Sequence, residues 1–198
     1  RTIFACYLLV TFICVAFVAQ QWRKYQGRYR GLGLWAAGCC FQLPGLALIS
    51  LRGAVPDLAS ATLGNACIIF GLAVLLMGMR AFFGSRGRAS VDFAAFALFV
   101  AAHAWFTAAR PDLSARIVLF SLAILFVCAR GIWMLERLER GLRPVARGTA
   151  FVLALFCVSS LARIVLSLAP APRTDLLADP SLDTYAMLAY LTLYVALT

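Results

Sequence analysis

Leu58-Ala-Ser-Ala-Thr-Leu-Gly-Asn-Ala-Cys-Ile-Ile-Phe-Gly-Leu-Ala-Val-Leu-Leu-Met-Gly-Met79 runs from end to end without a charged side chain. About 20 apolar residues in a helix cross the hydrocarbon of a bilayer, so this stretch predicts a membrane span. Equivalent runs lie on either side of it, at residues 3–21, 32–51, 91–109, 113–134 and 148–169, and a seventh begins near Leu182. The composition agrees: 64% of residues are hydrophobic and the mean hydropathy is +0.92, more apolar material than one water-soluble core buries. The opening segment has a signal-peptide-like core but no small-residue cleavage site before Trp22 and Arg23, and it reads as the first span. The expected fold is all-α, a polytopic membrane bundle of seven transmembrane helices.

The formal net charge of +10 does not describe a nucleic-acid surface, because the basic residues sit in short clusters between the apolar runs. No nucleic-acid partner is expected. The clusters alternate along the chain. Arg23, Lys24, Arg28 and Arg30 lie in the first loop, Arg80, Arg86 and Arg88 in the third, and Arg137, Arg140, Arg143 and Arg147 in the fifth. The other loops hold Arg52, Arg110 beside Asp112, and Arg173 against Asp175, Asp179 and Asp183. Retention of basic loops on the cytoplasmic side then predicts an N-terminus outside and a C-terminus in the cytoplasm. The last apolar run is still apolar at Thr198, which predicts a continuation of the chain into the cytoplasm. Glu136 with Arg140 and Glu139 with Arg143, at i,i+4 spacing, predict that the fifth helix runs past the membrane until Gly141 and Pro144 end it.

Glycines recur every seven residues in two neighbouring runs, as Gly31, Gly38, Gly45 and as Gly64, Gly71, Gly78. A heptad keeps them near one face. In lipid, helices associate through close backbone approach at small residues, so these two spans should form a tight antiparallel pair. Pro44 removes an internal hydrogen bond from the first of them and predicts a kink. All seven cysteines lie in apolar runs, without a CxxC pair, and read as packing residues.

Polar side chains concentrate in the outer halves of the spans under this topology. His103, Thr107 and Arg110 stand at i, i+4 and i+7, and Ser159, Arg163 and Ser167 at i, i+4 and i+8. One reading is a cavity open to the outside and lined by Asn65, His103, Arg116 and Arg163, joined by Tyr185, in which the arginines attract a small anionic or lipid-like ligand. The plainer reading is that Arg116 and Arg163 snorkel to the headgroups and the hydroxyls bond backbone carbonyls. Lys24, the one lysine, lies in a loop, so no retinal Schiff base is available; the one histidine cannot give bis-histidine haem ligation. No nucleophile with a base, phosphate loop or metal-ligand cluster occurs, so neither a catalytic residue nor a metal site is expected in this segment.

Tyr29-Arg-Gly-Leu-Gly-Leu-Trp35, Leu51-Arg-Gly-Ala-Val-Pro-Asp57, Leu63-Gly-Asn65 and Leu75-Leu-Met-Gly-Met-Arg-Ala-Phe-Phe-Gly84 resemble the N-terminal membrane region of bacterial diguanylate cyclases. In that family a multi-span sensor precedes a cytoplasmic GGDEF domain, which makes cyclic di-GMP from GTP with magnesium. The resemblance implies a signal-sensing input domain of the bacterial inner membrane, multi-pass, homodimeric through its output domain. The family's catalytic motif has no counterpart in this chain. GTP and magnesium are therefore expected only for an output domain after residue 198, and no cofactor is expected within this segment. The alternative is a small membrane transporter or permease, for which a midplane polar site and internal symmetry would be expected. A lipid-metabolising enzyme is disfavoured by the lack of paired acids and bases.

Overall fold

The computed structural model describes residues 2–85, 87, 89–138 and 142–168, and the side chains of 2–7, 143 and 145 are outside that description. Within these bounds the chain is helical, with six α-helices: α1 (Thr2–Tyr25), α2 (Leu32–Ser50), α3 (Gly64–Phe82), α4 (Ala89–Ala104), α5 (Leu113–Glu136) and α6 (Arg143–Leu168). A π-helical turn, Leu58–Leu63, leads into α3, and another, Trp105–Ala109, closes α4. Five segments, Leu32–Ser50, Leu58–Phe82, Ala89–Ala109, Leu113–Glu136 and Ala146–Leu168, are long and apolar enough to cross a membrane. The seventh apolar run, with Tyr185, lies outside the described residues.

Large side chains left exposed identify the solvent. Phe151, Val158 and Val165 recur every seven residues on α6 and are 65%, 63% and 69% exposed. Leu9, Phe12, Ile13 and Phe17 are likewise exposed along α1. In water such contiguous apolar faces would drive association. Against lipid tails they cost nothing, and the backbone polar groups are satisfied inside each helix as hydrocarbon requires.

The chain divides into two compact units, one through Val100 and the other from Ala101. In the first, α2 and α3 are antiparallel and meet along the glycines. A Cβ placed on Gly38 would lie 2.7 Å from the Gly71 carbonyl oxygen, and one on Gly71 would lie 2.6 Å from the Gly38 oxygen. Gly45 and Gly64 face each other likewise, at 2.8 and 3.1 Å, and Gly78 faces Gly31 at 3.0 Å. The three pairs share one register, so the expected tight pair is present and its helices touch backbone to backbone. Gly31 also takes a left-handed conformation (φ 92°) where it starts α2, which costs a glycine least. Helix α2 is continuous through Pro44.

Two more elements pack on this pair. Thr11, Val15 and Val18 are the buried stripe of α1, which lies against α2, where the Trp22 indole nitrogen covers Gly33. Phe41, Phe70 and Phe96 form an aromatic run joining α2, α3 and α4, with ring centroids 4.8 and 5.3 Å apart.

Arg80, read from the sequence as a loop cation, belongs to the last turn of α3. It is 8% exposed and forms a buried ion pair with Asp92, itself 5% exposed in the first turn of α4. The second nitrogen also donates to Asp92, at 3.4 Å. Gly87 roofs the guanidinium: a Cβ there would lie 2.9 Å from Arg80 Nε. The ion pair neutralises both charges, and the α4 N-terminus adds a favourable dipole for the carboxylate.

In the second unit α5 and α6 pair through an alternating three- and four-residue pattern. Ile117, Ser121, Ile124, Cys128, Gly131 and Leu135 are buried on α5. Leu153, Phe156, Ser160, Arg163 and Ser167 are buried on α6. That is the seam of an antiparallel coiled coil. Asp112 caps α5, its Oδ1 accepting from the Ala115 N–H at 3.0 Å. Asp112→Ala is expected to lower stability by about 1 kcal/mol, with Asp112→Asn near wild type, in reversible SDS unfolding.

The predicted extension of the fifth helix needs correction. Helix α5 stops at Glu136; Arg137 leaves the helix and its guanidinium stacks on Trp133, 3.9 Å from the ring centroid. Glu139, Arg140 and Gly141 lie outside the described residues. Pro144 does not end a helix but sits in the first turn of α6, where its missing N–H has no partner to lose.

Candidate functional site

The residues singled out from the sequence fall into both units. Asn65 belongs to the first, on α3, and its Nδ2 donates to the Ala61 carbonyl one turn back, at 2.8 Å. His103, Arg116 and Arg163 belong to the second.

His103 ends the buried stripe of α4 and is 1% exposed. Thr107, one turn on, donates from Oγ1 to the His103 carbonyl at 2.8 Å and lies 3.4 Å from His103 Nδ1. With the hydroxyl proton committed to the carbonyl, a bond at Nδ1 requires the tautomer protonated there. The π-helical turn over Trp105–Ala109 contains this threonine and widens the helix where it meets α5. Such turns are frequent at functional sites. The same turn overturns the expected stripe beyond Thr107. Arg110 has left the helix, with φ −138° and ψ 80°, and is exposed.

Arg163 does not snorkel. It is 7% exposed, and its guanidinium carbon lies 5.9 Å from the centre of the Phe120 ring on α5. A cation over an aromatic face recovers part of the hydration lost on burial. Arg116, in the first turns of α5, is half-buried. Ser160 and Ser167 flank Arg163 on the same stripe and donate to the carbonyls of Phe156 (2.7 Å) and Ile164 (2.9 Å). Their hydroxyls thus do what the plainer reading expected. The buried member is Ser160, however, and Ser159 is only half-buried: the seam steps by three then four residues, not by four and four.

Ser121 is a further polar residue buried on α5. It is 0% exposed, one residue from Phe120, and its hydroxyl has no hydrogen-bond partner among the described residues. A buried orphan hydroxyl costs about 1–3 kcal/mol and marks where a water or a polar ligand atom would be stabilised. The α5–α6 seam therefore brings together a buried cation, an aromatic face and a buried hydroxyl. Chemically this arrangement can hold an anion or carboxylate head with an apolar body, but it offers no nucleophile paired to a base. Groups of three or more potential metal ligands are absent among the described residues.

Comparison with family models, with curated proteins and with solved structures returned no match to this chain.

Proposed function

We propose that this chain is a membrane-embedded sensory input domain whose second unit receives an anionic or lipid-like small molecule. The observation that carries the proposal is the buried Arg163 on the α5–α6 seam, beside Phe120 and flanked by hydroxyls. A buried cation in a span is expensive, and such residues are kept where they serve a pathway or a ligand. The α5–α6 pair of that second unit is the element whose packing such a ligand would shift. A ligand acts on such a unit only by binding one packing better than another.

Seven spans place the N-terminus outside and the C-terminus in the cytoplasm of a bacterial inner membrane, where a GGDEF-type output domain makes cyclic di-GMP from GTP as a homodimer. The quoted resemblance over residues 29–84 and the alternating basic loops support it. Expression of the full-length gene in its host is expected to raise cellular cyclic di-GMP, and Arg163→Ala to shift that level at least about threefold, a change in the active population of under 1 kcal/mol. Membrane abundance should stay unchanged in the variant. Equal cyclic di-GMP with and without the gene overturns the cyclase reading, and equal levels for wild type and variant overturn the role of Arg163. Solute uptake by the chain in proteoliposomes would favour the transporter instead.

A further inference from the structure

Exposed cations end α1 and continue into the turn that follows it: Arg23, Lys24, Arg28 and Arg30. Two of them stand over tyrosine rings, and the arrangement repeats after four residues. Lys24 Nζ lies 5.3 Å from the centre of the Tyr25 ring, and the Arg28 guanidinium carbon lies 6.0 Å from that of Tyr29. The backbone fixes this spacing, since the Arg28 N–H donates to the Tyr25 carbonyl at 3.0 Å. The rings are linked as well. Tyr25 meets Tyr29 edge to face with centroids 6.0 Å apart, and Tyr29 meets Phe82, at the end of α3, at 5.9 Å. Tyr29 and Phe82 keep 46% and 40% of their surface exposed, so the patch presents apolar faces beside its charges.

The first unit does not balance that charge. Residues 1–100 contain two acidic side chains, Asp57 and Asp92. Asp57 stands at the far end of the Leu58–Phe82 span, and Asp92 is buried against Arg80. The patch also adjoins the ends of two segments able to cross a membrane, Leu32–Ser50 and Leu58–Phe82, which sets its tyrosines at headgroup level.

We propose that this patch is a binding surface for an acidic phospholipid, whose phosphate lies between Lys24 and Arg28 and whose glycerol and upper acyl chain lie on Tyr29 and Phe82. A cation over a ring keeps N–H groups for a phosphate oxygen. A zwitterionic lipid brings its own cation to the same place and loses the gain. A free phosphate leaves the exposed rings without a partner, which favours a lipid. Each Lys or Arg beside an acidic membrane surface adds about fivefold to the attraction. The site belongs to the first unit and does not depend on the ligand proposed for Arg163.

The test is native mass spectrometry of the full chain in mild detergent, with equal amounts of phosphatidylglycerol and phosphatidylcholine of identical acyl chains. Wild type is expected to retain phosphatidylglycerol at least about tenfold over phosphatidylcholine, and Lys24→Gln/Arg28→Gln to weaken phosphatidylglycerol binding at least about tenfold, two charges at about fivefold each. Lys24→Arg/Arg28→Lys should keep the preference, as should Arg52→Gln in the loop beyond the other end of α2. Equal retention of the two lipids by wild type overturns the proposal without reference to any variant. So does an undiminished preference in Lys24→Gln/Arg28→Gln, or an equal loss in Arg52→Gln, which would make the attraction one of net charge alone. Displacement of the lipid by millimolar glycerol 3-phosphate would overturn it in favour of a soluble phosphate ester.

Discussion

Gly38→Leu is expected to abolish recovery of a monodisperse protein from the membrane. The Cβ alone would lie 2.7 Å from the Gly71 carbonyl oxygen and 2.9 Å from the Leu75 nitrogen, and both are backbone atoms of α3 that no rotamer change can move aside. Ordinary overpacking costs about 1–3 kcal/mol because side chains give way. At this position the helices themselves must separate, which also parts the Gly31–Gly78 and Gly45–Gly64 pairs in the same register. A loss well above that range exceeds a large share of the roughly 5–15 kcal/mol that holds a domain folded. Fluorescence-detected size-exclusion chromatography after mild detergent extraction provides the measurement. Gly38→Ala should fall between wild type and Gly38→Leu. Gly148→Ala, where a Cβ meets nothing within 4 Å, should match wild type. A monodisperse Gly38→Leu protein with an unchanged thermal midpoint would show that α2 and α3 do not touch at their glycines.

The second large effect is expected at the buried ion pair. Removing one partner, as in Arg80→Met or Asp92→Leu, should cost about 3–5 kcal/mol, because the remaining charge stays in a low-dielectric site without its counter-ion. Arg80 and Asp92 have side chains only 10% and 4% exposed, so solvent screening offers little relief. The double variant Arg80→Met/Asp92→Leu should recover most of the loss, since two well-packed apolar residues replace a pair that gains little over its desolvation. Reversible SDS unfolding of the four proteins closes the cycle. Additive losses in the double variant would mean that the two residues act independently, and the pair would not be what holds the α3–α4 turn.

Both predictions mark where sequence reasoning succeeded and where it stopped. The α2–α3 interface was legible because glycine at heptad spacing is an unusual composition in a helix and has a single physical use in lipid, close approach. The Arg80–Asp92 pair was not. Twelve residues separate the partners, and a cation at the end of an apolar run looks the same whether it enters the headgroups or turns back to a carboxylate. Arg163 was singled out for its depth and spacing as a ligand contact; that it is buried beside the Phe120 ring carries no sequence mark. Arg110 keeps its place in a loop but not in the i, i+4, i+7 stripe, because that periodicity assumed 3.6 residues per turn through a segment that widens into a π-helical turn.

The sequence by itself determined where helices must form. In hydrocarbon every N–H and C=O needs a partner within the segment, and apolar runs of this length have one way to provide it. Which side of each helix turns inward was left to the tertiary structure. A soluble helix announces its buried face by contrast with a polar one, but lipid tails and a protein interior are equally apolar, so Val158 facing outward and Leu153 facing inward look alike in the sequence. Only packing distinguishes them, and with them the placing of Phe156, Ser160 and Arg163 along the α5–α6 seam.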